Sequence, residues 1–199
     1  MSSKPRLYVD SCVFIEAVKH RNGIPLSGDK QEQEARENDC WFFRKLCDAS
    51  RAGAIQLVTS MLTIAECTHV NEVDGPSKET RELFVEFLTS GSVVHLVEPD
   101  LFVAERARDL YWQDQILLKG ADSLHVASAV LDGCIEFLTL DGKIQRQEKF
   151  AAAIPLLRKV GLAVIRPSQT SRLPNEYRTD DLVTLANQAG AQEDHPGEG

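Results

Sequence analysis

Residues 121–142 read "ADSLHVASAVLDGCIEFLTLDG", and the fold follows from how this stretch divides. Small and apolar residues at helical spacing run from Asp122 to Gly133, a glycine placed to end a helix in the left-handed conformation. "IEFLTL" (135–140) is then a short strand, apolar except for Glu136 and Thr139, and it delivers Asp141 at its end. Working outward, the same grammar recurs. "RLYVD" (6–10) is a buried strand ending in Asp10, followed by the helix "SCVFIEAVKH"; "IQLVTS" (55–60) is a second strand, followed by the helix "MLTIAECTHV" (61–70). "VDGPS" breaks that helix before Ser77 caps another, "KETRELFVEFLTS". "SVVHLVE" is the third strand, a long helical stretch runs from about Pro99 to Leu118, and a helix through "IPLLRKV" leads to the last strand, "LAVIR". Strands alternating with helices predict an α/β fold with right-handed crossovers: three α/β/α layers around a central, mostly parallel five-stranded sheet.

That domain is expected over residues 1–166, interrupted by a charged insertion at about 21–39, "RNGIPLSGDKQEQEAREND", whose first half reads as an exposed loop. From Cys40 helical spacing returns and ends at Gly53. The polar extension 167–199 reads as an extended linker (167–178), a short amphipathic helix "TDDLVTLANQAG" and a disordered end. No apolar stretch approaches the roughly 20 residues that span a bilayer, and the N-terminus has no apolar signal segment, which points to an intracellular, cytoplasmic protein. The five cysteines form no C-x-x-C pair and read as buried free thiols. A net charge of -8 argues against a broadly basic surface coating nucleic acid. It leaves room for a nucleic-acid enzyme whose metal supplies positive charge locally.

Four carboxylates stand at positions where chemistry is commonly found. Asp10 and Asp141 end strands, Glu66 lies among Ile64, Ala65 and Cys67, and Asp122 opens a helix. Singly, each has an ordinary explanation: helix capping for Asp10 and Asp141, the helix dipole for Asp122, and a face toward water or a partner for Glu66. In a parallel sheet, however, strand C-terminal ends share one edge, so Asp10 and Asp141 meet there if their strands are neighbours, with Glu66 close by. Asp122 joins them only if the preceding crossover folds back over that edge. Carboxylates about 5 Å apart repel by roughly 3 kcal/mol per pair at an effective dielectric near 20, so such a cluster calls for protons or a bound cation. Oxygen donors of this kind suit Mg²⁺ or Mn²⁺, and the chemistry they support is hydrolysis of a phosphodiester.

With these residues placed, the chain resembles the PIN-domain family of metal-dependent nucleases, and within it the VapC-like toxins of toxin–antitoxin pairs. The matching segments are "YVDSCVFIEAV", "TSMLTIAECTHV" and "GADSLHVASAVLDGCIEFLTLDGKI", and the resemblance covers roughly residues 6 to 166. The resemblance implies that Asp10, Glu66, Asp122 and Asp141 bind metal, with Ser11 and Thr139 as accessory hydroxyls. It further implies an endoribonuclease, often homodimeric, neutralised by a small antitoxin. A stand-alone PIN nuclease in RNA processing or defence, acting on RNA or DNA, and a non-cleaving PIN-fold binding module are the other readings. The chain departs from the family pattern at Cys12, where Asn or Ser is usual, and in the length of its insertion and tail.

Other residues compete for attention. Glu66-x-x-His69 and Asp122-x-x-His125 resemble di-iron motifs, but that fold needs four long facing helices. His125 reads as a packed or hydrogen-bonded core residue and His69 as a partly exposed neighbour of the site. An Asp-x-Asp phosphatase motif fails at Cys12, and a phospho-receiver domain would want its acceptor aspartate after the third strand. Lys119, Lys143 and Arg146 read as solvated cations within reach of phosphate, and Tyr111 and Trp112, by their helical spacing, as packing residues, with base stacking as the alternative.

Overall fold

The computed structural model describes residues 4–68, 70, 75–141 and 148–178, the side chains of 148–152 excepted. The expectations for His69, Lys143, Arg146 and the 179–190 helix lie outside these residues. Five strands, β1 (Arg6–Val9), β2 (Gln56–Ser60), β3 (Val94–Val97), β4 (Glu136–Leu138) and β5 (Ala163–Ile165), form one sheet in the order β3-β2-β1-β4-β5. Every pairing is parallel. The strands' two-residue alternation divides the core. Leu7, Val9, Leu57 and Leu138 face one side, where Phe14 of α1 (Ser11–Arg21), Phe43 of α2 (Lys30–Arg51) and Leu83 of α4 (Lys78–Phe84) cover them. Tyr8, Val58, Phe137 and Val164 face the other, beneath α5 (Leu101–Trp112), α6 (Ala121–Leu131) and α7 (Glu148–Lys159). Val126, Ala127 and Ala129 of α6 are fully buried there. The three-layer α/β/α architecture stands.

The chain steps outward from β1 to β2 and β3, then crosses back to β4 and β5 on the other side of β1. The strand order thus reverses between β1 and β4, and at such a switch point a crevice opens beyond the C-terminal ends of the strands. Glycine punctuation works as expected at Gly133, which takes φ +69 after α6.

Four elements differ from the sequence reading. The helix expected from Cys40 begins ten residues earlier, at Lys30, with the Asp29 side chain accepting from the Glu32 N–H at 2.9 Å. Its hidden half buries charges: Glu32, Arg36 and Asp39, spaced four and three apart, lie on one inward face. Arg36 Nε donates to Glu32 at 3.1 Å, and Lys19 Nζ donates to buried Glu16 at 2.9 Å. Although burial works against its charge, hydrogen bonds from Lys19 and Ser27 hold the Glu16 carboxyl below the usual range. The helix after β2, α3, is only Met61–Glu66. α5 stops at Trp112 rather than Leu118, and Gln115 at φ +57 marks the departure from helical backbone. Finally, residues 167–178 are not an extended linker but a docked strap with two 3₁₀ turns. Arg166 Nε donates to Asp39 at 2.6 Å, Ser168 N–H to Asp39 at 3.0 Å and Thr170 Oγ1 to Glu136 at 2.5 Å, while Leu173 is buried in the core.

Candidate active site

Asp10 follows the last residue of β1 and caps α1, its Oδ1 accepting from the Ser11 N–H at 2.8 Å. Its own N–H donates to the Leu138 carbonyl at 3.0 Å, so the β1–β4 pairing continues one residue into the crevice. The second oxygen, Oδ2, accepts from the Thr139 hydroxyl at 2.8 Å and from the Cys12 thiol at 3.3 Å. Thr139 Oγ1 in turn accepts the Asp141 N–H at 3.1 Å, and Cys12 Sγ accepts the Leu140 N–H at 3.2 Å. The turn carrying Asp141 is therefore clipped to the start of α1. Burial first, then Asp10 and Asp141, push the Cys12 thiol up, so it stays protonated and serves Asp10 as a donor. Ser11, expected to contribute its hydroxyl, meets Asp10 through its backbone instead.

On the other side of Asp10, Glu66 ends α3, which Ser60 caps. Its Oε2 lies 2.8 Å from His125 Nε2, and His125 Nδ1 lies 2.7 Å from the Tyr8 hydroxyl. Tyr8 and His125 are both buried. Burial first, then Asp10, push the Tyr8 phenol far up, so its O–H donates to Nδ1. We assign the imidazole tautomer from this network: Nε2 carries the proton and donates it to Glu66.

Two groups result. Single donor atoms of Asp10, Cys12 and Asp141 lie within 4.8 Å of one another, as do those of Asp10, Glu66 and His125. Asp10 is common to both. Asp122, in the first turn of α6, belongs to neither group but is coupled to them. Burial first, then Asp10 and Glu66, raise its carboxyl above the usual range. A crossover helix runs antiparallel to the strands it joins, so its N-terminus comes back to their C-terminal edge; this is how Asp122 reaches the crevice. The Asp141 carboxyl is pushed up to about 6, first by the atoms packed around it and then by Asp10, with Arg36 opposing. Asp122 and Asp141 nevertheless keep a face open to solvent.

Of the residues expected from the sequence, the structure brings Asp10, Glu66, Asp141 and Thr139 together, with Asp122 coupled to them; what holds them was not expected. His125 was legible as a core histidine, and Asp122-x-x-His125 put it on the Asp122 face of one helix, but its bond to Glu66 spans 59 residues. Arg36, whose Nη2 donates to the Leu140 carbonyl at 3.3 Å beside Asp141, carried no signal at all. The donor set fits a divalent cation: hard carboxylate oxygens converge on Asp10, and the Asp122 and Asp141 carboxyls are held above their ordinary range by burial and then by the charge of Asp10, a cost that a cation offsets.

The model of one family, the PIN domain, matches residues 7–149. The chain belongs to the PIN-domain family. PIN domains are generally metal-dependent nucleases acting on nucleic acids, which agrees with the acidic crevice of this one. The match ends within α7, so β5 and the strap lie beyond the PIN model. No curated protein and no solved structure gives a significant match to the chain. Among the described residues of the PIN domain and its strap, no helix is long and apolar enough to cross a membrane.

Proposed function

We propose that this chain is a Mg²⁺- or Mn²⁺-dependent endoribonuclease, and specifically a cytoplasmic, homodimeric VapC-like toxin that a small antitoxin neutralises. The observation that carries the reading is the position of Asp10, one carboxylate shared between the Asp141 group and the Glu66–His125 group at the sheet's switch point. Asp10, Glu66, Asp122 and Asp141 would hold the ion. When bound, a divalent ion lowers the pKa of a water molecule and offsets the charge that develops on a phosphodiester under attack. The chain's own residues prepare that site. Thr139 and Ser11 fix the two oxygens of Asp10, while Tyr8 and His125 orient Glu66. Asp122 and Asp141 stay at the open rim, where substrate and ion enter.

Labelled RNA and labelled single-stranded DNA, each incubated with the purified protein in Mn²⁺ and in chelator, test this reading. Cleavage of RNA in Mn²⁺ that chelator abolishes is expected. Cleavage of DNA alone would move the substrate class, and cleavage undiminished by chelator would overturn the metal assignment. The toxin role is tested by expression: growth arrest by the chain alone, relieved by a small protein encoded beside it, is expected.

A further inference from the structure

Next to the crevice, α5 and α6 enclose an open groove of about 480 Å³. Tyr111 and Trp112 line it and are 38% and 68% exposed, which favours the stacking alternative of the sequence reading over packing. Each ring carries a cation over its face: the Arg108 guanidinium lies 5.0 Å from the Trp112 centroid and the Lys119 ammonium 5.9 Å from that of Tyr111. The small residues Ala104, Gly120 and Ser123 line it as well.

We infer that this groove is a subsite for an unpaired base of single-stranded RNA, stacked on Trp112 or Tyr111, with Arg108 and Lys119 against the neighbouring phosphates; the inference rests on the nuclease reading above. Aromatic rings alternating with cations are how proteins hold single strands without reading sequence. The groove also adjoins the reacting end: Ser123 lines it, and Asp122, one residue earlier in the same helical turn, is coupled to Asp10. Lys119 weighs against a protein partner, because lysine is depleted from protein interfaces, whereas Arg108, Tyr111 and Trp112 suit either occupant. Arg108 does lie 3.7 Å from both Glu105 and Asp109, but such exposed pairs are weak and leave it over the indole. Lys119 makes no salt bridge among the described residues and supplies charge complementary to phosphate.

The test uses the full chain carrying Trp41→Phe, which leaves Trp112 as its one tryptophan. It is titrated in chelator, so that nothing is cut, with a single-stranded oligouridylate or oligoadenylate and with a duplex of equal length. Quenching of Trp112 fluorescence by the single strands and not by the duplex is expected. In the otherwise native chain, Trp112→Ala should weaken single-strand binding about tenfold, and Trp112→Phe should restore most of it. No quenching, or equal affinity in Trp112→Ala, would overturn the subsite. So would a native dimer that Trp112→Ala dissociates in sedimentation, which would make this face an interface between copies. Quenching without any cleavage in Mn²⁺ would overturn the nuclease reading and leave the binding site standing.

Discussion

Asp10 answers two demands with two oxygens. One caps α1 through the Ser11 N–H, and the other meets Thr139, Cys12 and the acidic crevice. Helix capping and metal binding, alternatives in the sequence, are compatible in the structure. The Thr139 hydroxyl is the hinge of this arrangement, since it donates to Asp10 and accepts from the Asp141 N–H. Thr139→Val keeps the shape and removes both bonds, so Mn²⁺ affinity measured by calorimetric titration should fall about 10- to 100-fold. Asp141 gives a pH signature. Its carboxyl, raised from 3.8 to about 6, binds a proton more readily in the folded chain than in the unfolded one. Between these values the native state holds more protons, so stability falls as pH rises through that window and stays lower above it. Metal-free Asp141→Asn should therefore melt above the native protein at about pH 7 and converge with it near pH 4. Thermal melts in chelator across that range check the sign. A cation must displace the same proton, so its affinity should drop as pH falls below about 6. The four acids were legible because Asp10 and Asp141 stand at strand ends, Glu66 in the helix leaving β2 and Asp122 in the opening turn of a helix. Their supports were not, because Tyr8, His125 and Arg36 act across long sequence separations.

The strap and α2 show how an element escapes pattern reading. Apolar periodicity marks a helix whose inward face is greasy, whereas the inward face of α2 before Cys40 is charged, with Glu32, Arg36 and Asp39 satisfied by one another or by Glu16 and Arg166. A stretch rich in charge and ending in Asp39 then looks like solvated loop. The tail misled for the same reason: Pro167, Thr170 and Leu173 are too sparse to make a period, yet all are buried. Arg166 joins the two elements, and the side chain of Asp39 beneath it is fully buried. Arg166→Ala would leave that carboxylate without its charged partner, with only the Ser168 N–H still donating to it, at a cost of about 3 kcal/mol by urea denaturation. Breaking the exposed Lys78–Glu82 pair should change stability by well under about 1 kcal/mol. A loss for Arg166→Ala as small as that would show that the strap is not part of the folded unit.

At the scale of the whole molecule, the five apolar runs and the helices between them made the parallel α/β sheet legible, since few arrangements bury such strands on both faces. The strand order was not legible, and it decides the site. Only because β4 pairs with β1 do Asp141 and Asp10 share a crevice, and only because the crossover from β3 returns over the sheet does α6 bring Asp122 to it. A chain of net charge -8 that gathers acids at one edge should be stabilised by the ion they hold. At 100 times its dissociation constant, Mn²⁺ should add about 2.7 kcal/mol to unfolding, and Asp10→Asn should lose most of that gain. The most direct measurement is the rate at which labelled RNA is cut in Mn²⁺ by the native protein and by Asp10→Asn, each checked for folding by its melting curve. The metal site is expected to supply several kcal/mol, so the folded variant should cut roughly a thousandfold more slowly. A folded Asp10→Asn protein that cuts RNA at the native rate would contradict a metal-carboxylate site centred on Asp10.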